Sequence, residues 1–272
     1  MPLPEPFKTN IETWQHTKMI CDKLPESFSE KIYHDPDFVP INKHKTIYDI
    51  WQLDTLKAAF KLISLGFQPA VLNLADDFYA GGCVSTGSCA QEESLFRSTT
   101  LSKHLNQRSY PIKDNELLYS KNVVVFKGSA EEKYKPLDKI YKVDVITCPG
   151  IRHPNLTEDD HMYPEDLARL KIKIENIFQS AYKNNVNSII LGALGCGAWK
   201  NNPEDVAQVF KEVIQKYDGL FKYIVFAILP PGMIELFAPN SKTIRKNNYE
   251  TFKNVLSDII TTSHDDPPQP PI

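Results

Sequence analysis

Apolar positions fall in short runs separated by polar, turn-forming stretches, and the period of the pattern changes along the chain. Thr9 to about Leu24 carries Ile11, Trp14 and Ile20 among polar residues and predicts an N-terminal helix. Residues 25–44, rich in Pro, Asp and His, read as a loop. An alternation then begins. KTIYDIW (45–51) predicts a strand, and Asp54 is placed to cap a helix that Gly66 ends. PAVLNLA (69–75) is a buried strand, followed by a loop and a helix from about Cys89 to Leu105. VVVF (123–126) and KVDVIT (142–147) are strands. Helices are expected over Pro164–Asn184, Pro203–Lys216 and about Lys242–Thr262. VNSIILGAL (186–194) and YIVFAIL (223–229) supply the remaining strands.

Strands that alternate with helices through short links predict an α/β fold: a three-layer α/β/α sandwich on a mixed, mostly parallel central sheet. Ligands of such folds sit outside the carboxyl ends of the strands, which points to the loops after residues 75, 147 and 194. The division expected is an N-terminal extension over 1–44, one domain over 45–262 and a Pro-rich disordered tail over 263–272.

Composition narrows the function class. With 272 residues and 42% hydrophobic content the chain can bury one large core. Its net charge of -3 gives no electrostatic reason to expect direct nucleic-acid or anionic-membrane binding. The five cysteines are odd in number, widely spaced and without a CxxC pair, as expected of reduced thiols in an intracellular protein, cytoplasmic or nuclear. MPLPEPFKTN has no apolar signal core, and no apolar run approaches a membrane span. The seven histidines lack zinc spacing, so neither metal nor other cofactor is expected; His153 and His161 could line a cleft or be solvated.

The densest chemistry lies in VLNLADDFYAGGCVSTGSCAQEESLFRSTTL, residues 71–101. Gly81, Gly82 and Gly87 let the backbone wrap closely around a ligand. Ser88 with Gln91 matches a capping box, which would place Gln91, Glu92 and Glu93 in the first helical turn. Adjacent helical residues point about 100° apart, so Glu92 and Glu93 would not share one role. On the triplet alone, first-turn acids that offset the macrodipole are the commoner reading. Asp76 and Asp77 read first as turn formers. A second loop, LGALGCGAWKNNPEDV (191–206), carries Gly192, Gly195 and Gly197 before a helix, and could turn its amides toward a diphosphate. It fits a plain strand-to-helix turn as well. The GxGxxG fingerprint is absent, which argues against a dinucleotide-dependent dehydrogenase.

Together the two loops resemble the poly(ADP-ribose) glycohydrolases of the bacterial and fungal type, which have a macrodomain fold. That family's signature, a glycine triplet, a short gap and QEE, stands here as GGCVSTGSCAQEES. GALGCGAWKNNP resembles its diphosphate loop, VLNLA and IVFAIL its strands, and TCPGIRHPN a loop after its middle strand, so the likeness covers about residues 45–230. The family's third glycine is Cys83 here and its usual proline is Ala80. A side chain at 83 would crowd the ribose pocket if the position required a positive φ.

The resemblance implies hydrolysis of ribose–ribose O-glycosidic bonds in poly(ADP-ribose), with release of ADP-ribose. It implies Glu93 as general acid and then general base, a double duty that needs a carboxyl able to hold its proton when substrate excludes water. Glu92 would hold ribose hydroxyls, Asn73 would offer the ribose a donor and an acceptor, and Gln91 would orient the loop. Gly81, Gly82 and Cys83 would wrap the ribose, and Gly195, Cys196, Gly197 and Ala198 would present amides to phosphate. Phe226 on the last strand is the candidate for stacking on adenine, against the ordinary core role of a strand Phe. Cys83 and Cys196 read as small packing residues. The partners implied are the polymer or ADP-ribosylated macromolecules, acted on by a monomer. A non-catalytic ADP-ribose-binding module and a mono-ADP-ribosyl hydrolase are the competing readings.

Overall fold

The computed structural model describes residues 5–230 and 247–261. Its centre is a seven-stranded sheet in the order β1-β4-β5-β3-β6-β7-β2. The strands are β1 (Glu30–Tyr33), β2 (Ile47–Trp51), β3 (Pro69–Leu74), β4 (Glu116–Lys127), β5 (Pro136–Cys148), β6 (Ser188–Leu191) and β7 (Tyr223–Ala227). β5, β3, β6, β7 and β2 run parallel, whereas β1–β4 and β4–β5 pair antiparallel. The central strands read PAVLNL and SIIL and are buried on both faces, as parallel strands between helical layers must be.

Helices cover both faces. One face carries α5 (Pro164–Lys183), α6 (Pro203–Lys216) and α7 (Asn248–Val255), whose Ile174, Phe178, Phe210, Val213 and Phe252 pack on Leu72, Ile146, Ile189 and Ile224. The other carries α2 (Thr55–Ser64), α3 (Gln91–Ser98) and the single turn α4 (Leu101–His104); Leu62, Leu95, Phe96 and Leu101 meet Val71, Val145, Ile190 and Val225. Side chains such as Phe178, Phe210 and Leu62 are fully buried, each contributing about 2 kcal/mol of transfer free energy. Asp54 caps α2 by accepting the amides of Leu56 and Lys57, as its position predicts.

Four expectations are corrected. The stretch read as loop, 25–44, contains β1, which joins the sheet edge through β4, so the segment before residue 45 is continuous with the sheet. Four residues, the middle two half-buried and the outer two exposed, give too little pattern to announce a strand. β4 begins at Glu116 instead of Val123, because a register shift between Ser120 and Val123, with Asn122 at φ 55°, breaks its alternation. The helix expected over 89–105 divides at Thr99, where Thr99 bridges to Val125 and the Thr100 amide donates to Val124 O at 2.9 Å. The capping box does not form: Ala90, not Ser88, is the N-cap, and no side chain caps it. Of the last expected helix, Asn248–Val255 is helical, and residues 242–246 and the tail 263–272 lie outside the described residues. Among the described residues no helix is long and apolar enough to cross a membrane.

Before the sheet begins, α1 (Glu5–Cys21) lies along the loop that precedes α3. Asn10 Nδ2 donates to Gly87 O at 3.0 Å, and Thr17 Oγ1 donates to Arg97 O at 2.6 Å. Arg97, fully buried, donates from Nε to Asn10 O at 3.1 Å and from Nη2 to Ser88 O. The loop before QEE is therefore held between α1 and α3.

Candidate active site

Loops from the carboxyl ends of β2, β3, β6 and β7 surround a cleft of about 600 Å³. Its centre is the pair of carboxylates at the start of α3. β3 carries Asn73 to its buried end, where Nδ2 donates to Glu92 Oε1 and to Thr147 Oγ1, each at 3.3 Å. Asn73 Oδ1 is buried and without a protein partner among the described residues.

The backbone after β3 then folds over the two acids. Gly81 and Gly82 take φ of 79° and 53°, a region that L side chains rarely adopt. A Cβ on Gly82 would stand 2.7 Å from Glu93 Oε1 and 3.1 Å from Glu92 Oε2, so position and conformation both require glycine. Cys83 has φ -100°. An ordinary residue fits there, and the third glycine of the signature is not required by this backbone.

The two acids have different surroundings, as their helical spacing predicts. Glu92 is 2% exposed. It accepts the Asp76 amide at 2.8 Å and the Gly81 amide at 3.3 Å. Burial pushes its carboxyl up to about 8, against the Asp76 hydrogen bond and with help from the neighbouring Glu93. Glu93 is 6% exposed and lines the cleft. Its Oε1 accepts the Cys83 amide at 3.0 Å, whereas Oε2 is buried with no protein partner among the described residues.

Gln91 lines the same cleft, yet its amide is turned to β3. Oε1 accepts the Leu74 amide at 2.8 Å, and Nε2 donates to Leu72 O at 2.7 Å and Thr55 Oγ1 at 3.2 Å. It locks the helix start to the strand end.

The opposite wall is the loop after β6. Gly195 has φ 74° and lies against Gly150, where an added Cβ would come 2.8 Å from Gly195 Cα. Asn201 sews the two loops together: Oδ1 accepts the Ile151 amide at 3.1 Å, and Nδ2 donates to Ile151 O at 2.5 Å and to Trp199 O at 3.3 Å. Gly195, Gly197 and Ala198 face the cleft. Cys196 does not; it is buried, and its amide donates to Ala193 O at 3.1 Å. The expectation that it offers an amide to phosphate is corrected on that ground. Cys83 lines the cleft with an exposed side chain, whereas Cys196 packs as read.

Phe226 is also corrected. It is 3% exposed, packs edge-on to Phe210 at 5.1 Å between centroids, and touches Phe252 at 5.5 Å. That ring belongs to the core beneath the cleft and presents no face to a base. Asp76 is the turn former expected of it, accepting the amides of Phe78 and Tyr79 at 2.7 and 2.8 Å. His161 pairs with Asp205 at 2.7 Å away from the cleft lining. Sequence reasoning missed Phe7 of α1, Trp199, and the Ser129–Glu131 turn, all of which line the cleft. Only Trp199 carried a signal, as a large aromatic inside a glycine-rich loop.

Comparison with known proteins agrees with this geometry. The family profile described as microbial-type PARG, catalytic domain, matches residues 11–128. The X-ray structure of poly(ADP-ribose) glycohydrolase from Thermomonospora curvata superposes with a TM-score of 0.76 at 21% identity, over 91% of this chain and 99% of that one. The same enzyme bound to the inhibitor ADP-HPD gives 0.74 at 20% identity over the same shares. The Deinococcus radiodurans enzyme in complex with ADP-ribose gives 0.64 at 21% identity, over 95% and 100%. No curated protein sequence matches the chain. The residues matched by that profile, 11–128, include Asn73, the two-glycine turn and both carboxylates.

Proposed function

We propose that this chain is a poly(ADP-ribose) glycohydrolase that hydrolyses ribose–ribose O-glycosidic bonds and releases ADP-ribose. The observation that carries the reading is the state of Glu93. One carboxylate oxygen is held by a backbone amide, and the other is buried with no protein partner among the described residues, on a side chain that lines the cleft. The loop that faces it bends through Gly195 at positive φ and presents Gly197 and Ala198. A pyrophosphate seated on that loop leaves the attached ribose to reach toward α3.

Glu93 then protonates the leaving ribose oxygen through Oε2 as the glycosidic bond breaks. The oxocarbenium-like centre is attacked by water, whose proton returns to the same oxygen. Glu92, which holds its proton to higher pH, donates to a ribose hydroxyl, and Asn73 Oδ1 accepts from one. All five cysteines are free thiols, which supports the intracellular reading, cytoplasmic or nuclear. The chain acts as a monomer, on the polymer in preference to nucleic acid or membrane.

Incubation with poly(ADP-ribose) and mass identification of the product tests the reading. Wild type releases ADP-ribose. Glu93→Gln keeps ADP-ribose affinity within about threefold and loses at least about 10³ in kcat. Retained turnover in that variant removes Glu93 from the chemistry; binding without turnover in wild type makes the chain an ADP-ribose-binding module.

A further inference from the structure

Arg152, from the loop after β5, is used by no step above. Its backbone neighbour Ile151 is tied at both N–H and C=O to Asn201 of the phosphate-side loop. Its guanidinium lies 4.6 Å from the ring centroid of Trp199 on that same loop and 5.4 Å from that of Phe78. The fork ends on the opposite side of the cleft: Nε donates to Asp77 Oδ1 at 2.7 Å, and Nη2 donates to Asp76 Oδ2 at 2.8 Å and also to Asp77 Oδ1. Asp76 is the residue whose amide holds Glu92 Oε2, and whose side chain closes the turn leading to Gly81 and Gly82.

We propose that Arg152 is a positioning residue, a strut that transmits engagement of the 195–201 loop to the 76–82 turn holding the carboxylates. The inference rests on the glycohydrolase reading. The fork-and-stack geometry is what makes arginine suited to it: Nε and Nη2 together hold both aspartates, and the flat face follows the indole. A lysine carries the charge without either constraint. A ligand that pulls the Gly195–Ala198 backbone inward moves Trp199 and, through Arg152, the turn whose Asp76 and Gly81 amides hold Glu92 and which leads into the Cys83 amide on Glu93. Arg152 stands behind the residues that line the cleft, so its effect falls on the placement of the acids more than on ligand affinity.

Hydrogen exchange with ADP-ribose as probe, together with steady-state kinetics, tests this. In wild type, ADP-ribose slows exchange in both 195–201 and 76–82. In Arg152→Ala it slows 195–201 alone; kcat on poly(ADP-ribose) falls about ten- to hundredfold and KM stays within about threefold. Arg152→Lys restores the protection of 76–82 only in part. Equal protection of 76–82 in Arg152→Ala overturns the strut, and so does loss of protection in both segments, which is collapse of the loop. A wild type that cleaves the polymer but shows no ligand-dependent protection at 76–82 overturns the strut alone. A wild type that neither cleaves the polymer nor binds ADP-ribose overturns the reading beneath it as well.

Discussion

At Gly82 a side chain has nowhere to go, whereas at Cys83 one is already accommodated, although the two are neighbours in one turn. Gly82→Ala places a methyl at positive φ against the Glu93 carboxylate. It is expected to cost about 1–3 kcal/mol of stability and at least about 100-fold in kcat through displacement of Glu93. Cys83→Gly, which restores the family triplet, relieves no strain and changes kcat less than about threefold. Both are read by turnover on the polymer beside thermal unfolding, and equal losses in the two variants would contradict this account. Glu92 makes a second prediction at this scale. Its folded carboxyl holds a proton up to about 8 where the free side chain releases it near 4.5. The folded state therefore binds more protons in that window, and stability falls as pH rises from about 4.5 to about 8. The loss is of the order of a few kcal/mol and is absent from Glu92→Gln, as urea midpoints against pH will show. Parallel curves for the two proteins would remove the buried acid from the pH dependence. Asn73, Glu92 and Glu93 were legible because a strand end, a two-glycine turn and a helix start all converge on them. Phe226 and Cys196 were misread because residue type and position along the chain do not say which way a side chain or an amide points.

Among the elements, those with long regular periods were read correctly. α5 and α6 match their expected spans, with Pro at the first turn of each and Asn202 capping α6. What escaped were elements decided by distant partners. β1 exists because β4 offers it an edge, and the α3–α4 break exists because Thr99 and Thr100 pair with β4. The reach of α1 into the cleft, through Phe7, has no local signature either. Arg97 is the joint at this scale: its guanidinium is buried, pairs with no carboxylate among the described residues and holds the carbonyls of Asn10 and Ser88. Removing it takes the side-chain donor from both carbonyls and detaches α1 from the loop before QEE. Arg97→Ala is expected to destabilise the fold by about 2–4 kcal/mol. Limited proteolysis is expected to cut between 83 and 90 first, and an unchanged cleavage pattern would deny Arg97 that role.

For the molecule as a whole, the two walls of the cleft rise from the carboxyl ends of neighbouring parallel strands, β3 and β6. The acid wall is set by β3 and α3, the proposed phosphate wall by β6 and α6, and Asn201 stitches the latter to the loop after β5. This division could be anticipated from strand–helix alternation, which places ligand loops at the carboxyl ends of parallel strands. The stitch could not, because it joins residues far apart in sequence that no periodicity relates. A ligand that bridges the walls should stabilise the folded state by mass action, about 2.7 kcal/mol at a hundred times its Kd. Asn201→Ala leaves the Ile151 amide and carbonyl unpaired and frees the Gly195–Trp199 loop, so each of its melting curves should be compared with its own ligand-free baseline. Wild type and Glu93→Gln are expected to show the same ADP-ribose-induced rise in Tm, since neither change touches the phosphate wall. Asn201→Ala is expected to need about tenfold more ADP-ribose for the same rise, while its acid wall, probed by the pH dependence attributed to Glu92, stays as in wild type. An undiminished rise in Asn201→Ala would mean that the pyrophosphate is gripped elsewhere, and the distance over which Glu93 must act would have to be measured from a different wall.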